Sequence, residues 1–369
     1  MMARKPKVAI KRMLQFLVVV GICVSFTIYL ALIPEPHNYV CKSTCNEVHF
    51  PVYKSPPACA KTENVYLVTV VHSEAWNIKQ RLAVRHTWGS THQLGDKNIK
   101  LIFVLEKPRN YTLNTLVEAE NNRYADMLLV GGGYTTSIGV IKSLMSLRWI
   151  LNNCKEARFV LRTNDNSFVN YYKILALIKT PGRRSNMKYI AGRVISGLDT
   201  NRFPNSVDFV PLKLFAGKKY PDFVDGSSGY IMPVKVMQSI MGIVDKIKSL
   251  PREDVYLTGL CRTELSRVRL AHLSSFLPNT QKLSDAMIIT TAMTAQPIGT
   301  KQMELLWRQL KENSAQQLPL IKKGQVRKMY NGLGTHVKGF FDHVSLHKNI
   351  TARAGNKVKG KRLIRLSLT

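Results

Sequence analysis

The chain has 369 residues, of which 45% are hydrophobic, so it can bury a core and is not a fully disordered protein. Lysine and arginine number 54 against 23 aspartate and glutamate residues, and the formal net charge is +31 at pH 7. Such a charge favours a polyanionic partner, either a nucleic acid, an anionic membrane face, or an acidic sugar or nucleotide, and does not choose among them.

The first predicted element is a membrane-spanning helix. Residues 14–33 carry no charge, and at about 1.5 Å per residue they can cross the roughly 30 Å of hydrocarbon in a bilayer. Basic residues precede this segment, so the positive-inside rule predicts a cytoplasmic tail over residues 1–12, a signal anchor over residues 13–33 and a lumenal remainder. A cleaved signal peptide is the alternative, although its apolar region usually has only about 7–15 residues. The predicted topology argues against a nucleic-acid partner.

The segment after the predicted anchor, residues 34–63, is rich in proline and shows little periodicity, which predicts a lumenal stem. Five cysteines lie beyond the anchor: Cys41, Cys45, Cys59, Cys154 and Cys261. In an oxidising lumen an odd number leaves one thiol free or paired with another chain, and spacing does not give the connectivity. The Cys41 and Cys45 spacing could also suit zinc, but a disulfide suits a lumenal stem better.

Two Asn-x-Thr sequons begin at Asn110 and Asn349, on the lumenal side of the predicted anchor. This tripeptide is the acceptor for N-glycosylation in secreted chains, so we expect both asparagines as glycosylation sites. Chance sequons are common, and these two lend mild support to the topology.

Beyond the stem, strand-like and helix-like patterns alternate. Runs rich in β-branched residues predict strands, and helical apolar spacing predicts helices. The predicted strands are residues 65–71, 99–105, 127–130 and 158–162, and the predicted helices are residues 77–88 and 138–151. This alternation predicts an α/β domain with a largely parallel sheet over residues 64–314. Residues 315–369 form a basic extension, in which twelve lysines and arginines but one acidic residue lie from position 321 onward.

The predicted helix over residues 77–88 carries Arg81 and Arg85 and leads into Thr87-Trp88-Gly89. Two arginines one helical turn apart, directly after a strand, can bind a phosphate or a carboxylate. The alternative is a solvated helix face. The spacing alone does not decide between these interpretations.

A polar motif, Asn164-Asp165-Asn166, follows the predicted strand at residues 158–162. Ligands of open α/β sheets bind at the carboxyl ends of strands, so its position is that of a binding site. A hard cation needs anionic oxygen, and this motif has one carboxylate, which predicts weak or lost metal binding. Arg162 could neutralise phosphate charge in place of the ion. An ordinary polar turn is the alternative.

A second acidic motif, Glu253-Asp254-Val255-Tyr256, lies beyond the stretch from Tyr220 to Tyr230. The motif is a candidate functional site. The alternative is that Glu253 and Asp254 open a helix after Pro251, where acids complement the helix dipole.

Taken in order, these stretches and the block over residues 118–149 resemble the β-1,3-galactosyltransferase family, which includes related β-1,3-N-acetylglucosaminyltransferases. The family patterns are R-x-x-I-R-x-T-W-G, F-x-x-K-x-D-D-D-x-F-V-N, Y-P-x-Y-x-x-G-x-G-Y and E-D-V-Y-x-G-x-C. The last is matched closely, whereas Asn164 and Asn166 replace two acids of the second. The resemblance covers roughly residues 64–310.

This resemblance implies a nucleotide-sugar-binding fold of the GT-A type. It implies inverting transfer of galactose or N-acetylglucosamine from a UDP-sugar to a hydroxyl of a glycan on a glycoprotein or glycolipid, in the Golgi lumen. Asp254 would be the base, and Asp165, Asn164 and Asn166 would hold Mn²⁺ weakly or not at all. The implied substrate-binding residues are Arg81, Arg85, Trp88, Arg162 and Glu253. The alternative is a catalytically inactive relative that binds a glycan or a partner protein.

Overall fold

The computed structural model describes residues 15–22, 24–25, 50–131, 137–179, 188–265 and 267–322. The predicted anchor over residues 13–33 lies partly outside these ranges, and its described residues are helical. Among the described residues, no helix has the length and apolarity needed to cross a membrane. Cys41, Cys45, Asn349 and most of the basic extension lie outside the described residues.

The described chain contains short and medium-length strands interleaved with helices. The strands are β1 (Val52–Lys54), β2 (Val65–His72), β3 (Gln93–Leu94), β4 (Lys97–Glu106), β5 (Met127–Val130), β6 (Phe159–Asn164), β7 (Phe168–Val169), β8 (Tyr189–Gly192), β9 (Val194–Ile195), β10 (Phe223–Val224), β11 (Tyr230–Pro233), β12 (Arg269–His272), β13 (Phe276–Leu277) and β14 (Thr294–Ala295). The helices are α1 (Ile78–His86), α2 (Tyr111–Tyr124), α3 (Ile138–Asn153), α4 (Tyr171–Lys179), α5 (Val234–Met241), α6 (Asp285–Thr291) and α7 (Thr300–Lys322). A π-helical segment covers Val255–Cys261.

The central sheet has nine strands in the order β1-β5-β4-β2-β6-β11-β8-β12, with β3 paired to β4. Strands β5, β4, β2 and β6 are mutually parallel, β11 runs against β6 and β8, and β12 is parallel to β8. The predicted α/β domain with a mixed, mostly parallel sheet is therefore confirmed. The predicted β-helix-β unit is β2-α1-β4.

The parallel strands are buried because helices cover the sheet. Apart from Tyr66, every residue of β2 is buried, as expected for a parallel strand covered on both faces. Helix α3 contributes Val140, Ile141 and Ile150, each 0% exposed, to the same hydrophobic core. Each such side chain contributes about 1.5–3 kcal/mol to folding. This core packs α3 against the parallel strands that carry the site.

Part of the predicted stem belongs to the folded unit. Strand β1 pairs with β5 at the sheet edge, and Cys59 forms a disulfide with Cys154, with 5.0 Å between their Cα atoms. The folded unit therefore includes Phe50, which is buried, and extends to the N-terminal side of Asn64. The sequence does not reveal this folded segment, because its prolines and the short strand β1 produce no recognisable strand pattern. Cys261 is a buried free thiol.

The chain divides into two units by its internal contacts, after Leu306. The first unit contains every strand of the described residues. The second begins at Trp307, inside α7. The predicted domain boundary between residues 314 and 315 thus falls within one continuous helix.

Candidate active site

Three loops meet at the edge of the sheet that is formed by the carboxyl ends of β2 and β6. His72 at the end of β2 is paired with Asn164 at the end of β6. Because β11 is antiparallel to β6, the turn before β11 lies at this edge as well, where Tyr230 pairs with Arg162. Gly229 in that turn has φ +82°, and a Cβ there would lie 2.6 Å from the Arg162 carbonyl oxygen, so only glycine fits. The edge is thus built from residues 72–77, 164–166 and 226–229.

Asp254 lies against the Gly226 turn and is 7% exposed. Its Oδ2 accepts from the Gly226 backbone N–H at 3.1 Å, and its Oδ1 accepts from the Val255 N–H at 2.8 Å. Arg252 donates to both oxygens, from Nε at 3.2 Å and from Nη2 at 2.8 Å. Burial alone would lower the pKa of Arg252, but Asp254 and the more distant acids Asp208 and Asp225 raise it. The carboxylate is therefore held in one orientation at the edge, as a base requires, and it also caps the π-helical segment.

Glu253 is bound by side chains from three elements. Its Oε1 accepts from the Tyr230 hydroxyl at 2.5 Å and from Ser143 Oγ at 2.8 Å, and its Oε2 lies 3.4 Å from Arg162 Nη2. Burial raises the pKa of Tyr230 well above its usual value, and Glu253 acts in the same direction. These contacts give Glu253 a structural role, and its predicted part in substrate binding stays a prediction.

His72 closes the same network. Arg162 Nη2 lies 3.0 Å from His72 Nδ1, and Ser143 Oγ lies 3.3 Å from Nε2. Burial lowers the pKa of His72 well below its usual value, and Arg162 and Lys142 lower it further. The ring is therefore neutral. Because Arg162 can only donate, we assign the ring proton to Nε2, facing Ser143.

Arg162 joins this network to the Gly226 turn, since its Nη1 donates to the Gly226 carbonyl. The same glycine donates its N–H to Asp254, so one residue connects the guanidinium to the carboxylate. Arg162 Nε is buried and has no hydrogen-bond partner within the described ranges. The predicted contact of Arg162 with phosphate stays a prediction.

The Asn164-Asp165-Asn166 motif alternates in and out of the protein. Asp165 is 5% exposed, and its Oδ2 accepts from Ser73 Oγ at 2.6 Å and from Asn77 Nδ2 at 2.9 Å. Burial raises the pKa of Asp165 in spite of these hydrogen bonds. The motif's one carboxylate therefore faces the interior, because the turn that follows β6 places Asp165 against Ser73 and Asn77.

The two asparagines of the motif are half-buried beside Gln296, which follows β14. Asn164 Nδ2 donates to Gln296 Oε1 at 3.0 Å and to the Ser227 carbonyl at 3.1 Å. Asn166 Oδ1 is buried without a hydrogen-bond partner in the described part of the chain.

The side chains of residues 164–166 are poor ligands for a hard divalent cation. The motif offers two half-buried amides beside the buried Asp165, whereas such an ion in front of a diphosphate prefers carboxylates. No group of three or more His, Cys, Asp or Glu side chains within the described residues could hold a metal ion. Weak or lost Mn²⁺ binding stays a prediction, and no step proposed below passes through a metal.

Arg81, Arg85 and Trp88 lie in the interior rather than on a solvated face. Arg81 is 0% exposed and pairs with Glu120 through Nε at 2.9 Å and Nη2 at 2.6 Å. Arg85 Nη1 also binds Glu120, and Trp88 Nε1 donates to the Ser167 carbonyl at 2.8 Å. The solvated-face alternative for the arginines is wrong, because both are paired inside the protein. Substrate binding by these three residues stays a prediction.

Several residues of this edge were not identified from the sequence. Ser73, Asn77 and Gln296 carry no motif that marks them, and their partners lie far away along the chain. Ser143 and Tyr230 lie in stretches that carry the family resemblance, but no site role was predicted for them. A signal was present for His72, which is a polar residue ending an otherwise apolar strand. Ser73 and Asn77 are polar residues that lie just after β2, so their location at the end of a buried strand was also a signal.

Asn110 is exposed and begins α2, where its Oδ1 accepts from the Leu113 N–H at 2.9 Å. The neighbouring Tyr111 is 84% exposed. The sequon is therefore on the surface, and its glycosylation stays a prediction.

Comparison with known proteins gives a consistent result. A family model described as galactosyltransferase matches residues 79–312. Human UDP-GlcNAc:betaGal beta-1,3-N-acetylglucosaminyltransferase 8 is 30% identical over 260 residues, 69% of this chain and 64% of its own length. Mouse beta-1,3-galactosyltransferase 1 is 30% identical over 201 residues, 54% of this chain and 60% of its own length. The matched regions thus span less than two thirds of these relatives.

Among solved structures, 4-diphosphocytidyl-2C-methyl-D-erythritol synthase matches with a TM-score of 0.33 and 14% identity, over 61% of this chain and 96% of its own. Mouse xyloside xylosyltransferase 1 matches with a TM-score of 0.29 and 10% identity, over 56% of this chain and 83% of its own.

Proposed function

The chain belongs to the galactosyltransferase family, and on that premise we propose that it is an inverting hexosyltransferase with a GT-A type fold. Its donor is a UDP-sugar carrying galactose or N-acetylglucosamine. Its acceptor is a hydroxyl of a glycan on a glycoprotein or glycolipid. The relatives are named as transferases of these two sugars, and their names support this substrate class.

One observation carries the proposal: motifs far apart in the chain meet at a single edge of the sheet. Asn164 binds the Ser227 carbonyl, and Asp254 binds the Gly226 N–H. Ligands of α/β sheets bind at the carboxyl ends of the strands, so a donor at residues 164–166 would lie beside Asp254.

In the proposed reaction, the acceptor hydroxyl oxygen attacks the anomeric carbon while its proton passes to Asp254. A bond forms between that oxygen and the anomeric carbon. The bond from the anomeric carbon to the phosphate oxygen breaks, and UDP leaves with the electron pair. Attack from the face opposite UDP inverts the anomeric configuration. Arg162, beneath the Gly226 turn, supplies positive charge near the departing diphosphate.

We further propose that the chain is a single-pass type II protein of the Golgi membrane, held through residues 13–33 with the domain in the lumen. The charge pattern around the uncharged segment supports this topology. A C-terminally tagged full-length chain in sealed microsomes should resist added protease until detergent is added. Digestion of the tag without detergent would overturn the topology.

The activity is tested with the full-length chain in detergent, given UDP-galactose or UDP-N-acetylglucosamine and a panel of glycan acceptors. We expect transfer of one of these sugars, with a product whose anomeric proton coupling shows inversion. A product with retained configuration would contradict the role of Asp254.

A second function is favoured by one observation, the inward position of Asp165. Without an outward carboxylate at residues 164–166, leaving-group stabilisation is weakened, and a catalytically inactive glycan- or partner-binding protein is the alternative. Binding of UDP separates the two, since only the transferase requires it.

A further inference from the structure

Trp76, in the loop after β2, is exposed at the edge that forms the candidate active site. Its exposed fraction is 69%, whereas Trp88, Trp149 and Trp307 are 0%, 5% and 8% exposed. The indole makes no hydrogen bond or ring contact with any residue that the structure describes. A large aromatic side chain left in water at a site edge is a candidate ligand contact.

The loop that carries Trp76 is held firmly from below. Arg81 Nη1 donates to Ser73 Oγ at 2.9 Å and to the Glu74 carbonyl at 2.6 Å, and its Nη2 donates to the Ala75 carbonyl at 3.1 Å. Lys142 Nζ donates to the Ser73 carbonyl at 2.8 Å and to Glu74 Oε1 at 2.6 Å. Two buried cations therefore fix the backbone that directly precedes the indole.

The loop is also joined to the central motif of the site. Asn77 Nδ2 donates to Asp165 Oδ2 at 2.9 Å, and the Asn77 N–H donates to the Glu74 carbonyl at 3.0 Å. Trp76 sits inside this turn, next to the residue that binds Asp165. The position of the indole is thus tied to residues 164–166.

The strand order gives the direction of a bound donor. Strand β6 lies between β2 and β11, so residues 164–166 stand between the Trp76 loop on one side and the Gly226 turn with Asp254 on the other. In the proposed reaction the anomeric carbon must lie beside Asp254. The diphosphate then lies over residues 164–166, and the nucleoside extends towards the loop after β2.

We infer that Trp76 is the stacking platform for the base of the nucleoside diphosphate donor, an inference that rests on the proposed function. An indole on a rigid loop presents a flat face at little entropic cost, and stacking on an aromatic side chain accepts any base. Trp76 therefore contributes affinity for the nucleoside, and the choice of uracil falls to hydrogen bonds from other groups. This also gives Arg81 a positioning role, because it supports the platform from the interior.

The experiment uses the full-length chain in detergent and its intrinsic fluorescence, which suits the site because the other tryptophans are buried. UDP and UMP should quench the exposed indole, whereas pyrophosphate and free galactose should not. Trp76→Phe should remove the quenching and keep UDP affinity within a few fold. Trp76→Ala should weaken UDP binding by about tenfold or more in calorimetry, with pyrophosphate affinity unchanged.

Tyr111→Ala, which removes another exposed aromatic side chain outside the three loops of the site, is the matched control and should leave UDP affinity unchanged. UDP binding of equal affinity in wild type and Trp76→Ala would overturn the stacking role and leave the proposed function standing. Quenching by free galactose or N-acetyllactosamine but not by UMP would place Trp76 at the acceptor, and would overturn it too. Absence of UDP binding in the wild type would overturn the proposed function and this inference together.

Discussion

Arg252 holds Asp254 by two hydrogen bonds, from Nε to Oδ1 at 3.2 Å and from Nη2 to Oδ2 at 2.8 Å. Only Glu253 separates these two residues along the chain. Glu253 and Asp254 are neighbouring acids, yet their surroundings differ. Glu253 is bound by the Tyr230 and Ser143 hydroxyls and the Arg162 guanidinium, whereas Asp254 is bound by two backbone N–H groups and the Arg252 guanidinium. This difference assigns the structural part to Glu253 and leaves Asp254 as the candidate base.

Asp254→Asn should reduce turnover by about 10²-fold or more, because an amide cannot take up the proton of the attacking sugar hydroxyl. UDP affinity should change little, since the amide keeps the size of the side chain and the proposed diphosphate site lies at residues 164–166, although the amide nitrogen can no longer accept from Gly226 or Arg252. Steady-state kinetics and calorimetry measure the two quantities. Asp245→Asn, at an exposed acid, is the control. Unchanged turnover in Asp254→Asn would remove this residue from the mechanism.

The double change Asn164→Asp with Asn166→Asp should produce Mn²⁺-dependent UDP binding. Two added carboxylates supply the anionic oxygen that a hard cation prefers. Gln296 must turn its amide, since its Oε1 now accepts from Asn164. Titration of UDP with Mn²⁺ and with chelator should show little difference for the wild type. A strong Mn²⁺ response in the wild type would mean that the amide oxygens or more distant acids hold the ion.

Arg81→Ala should lower the free energy of unfolding by about 3 kcal/mol, near the lower end of the usual cost of breaking a buried ion pair. The cost is limited because Arg85 still pairs with Glu120. Denaturant unfolding gives the value. Lys79→Ala, at an exposed position on the same helix, should stay within about 0.5 kcal/mol of wild type. Equal effects of both changes would show that the buried pair contributes little.

His72 should make stability fall in mild acid. Its pKa is lowered by burial, so the folded protein keeps the ring neutral while the unfolded chain protonates it below about pH 6.5. The stability associated with this group is present above that pH and is lost as the pH falls. Between pH 7 and 5 the wild type should lose up to about 2 kcal/mol more than His72→Gln, the limit being set by the unfolded-state pKa. Parallel pH dependences of the two proteins would contradict this.

The disulfide between Cys59 and Cys154 should stabilise the folded unit substantially, since it closes a loop with a sequence separation of 95. Loop-closure entropy predicts a loss of about 4–5 kcal/mol on replacing both cysteines by serine. Denaturant unfolding of both proteins under non-reducing conditions measures this loss.

Burial raises the pKa of Cys261 to about 12, so its thiol should resist alkylation at pH 8 until the chain unfolds. Reaction in the folded protein would show that the thiol is accessible.

The sequence by itself determined several of the elements and the family. Strand β2 was predictable because its apolar β-branched run is local, and α3 was predictable from its apolar spacing. The Glu253-Asp254 motif was recognisable for the same reason, as its residues are adjacent. Order along the chain then gave the resemblance.

Only the tertiary structure decided which polar groups meet. Asp165 faces Ser73, which lies 92 residues away, and Glu253 faces Ser143, which lies 110 residues away. The pairing of β2 with β6 and of β6 with β11 brings these groups together, and no local pattern records strand order. Arg81 shows the same limit: its helical spacing suited a solvated face equally well, and its burial depends on Glu120 on another helix. Periodicity is a property of neighbouring residues, whereas burial and hydrogen-bond partners depend on how distant elements pack.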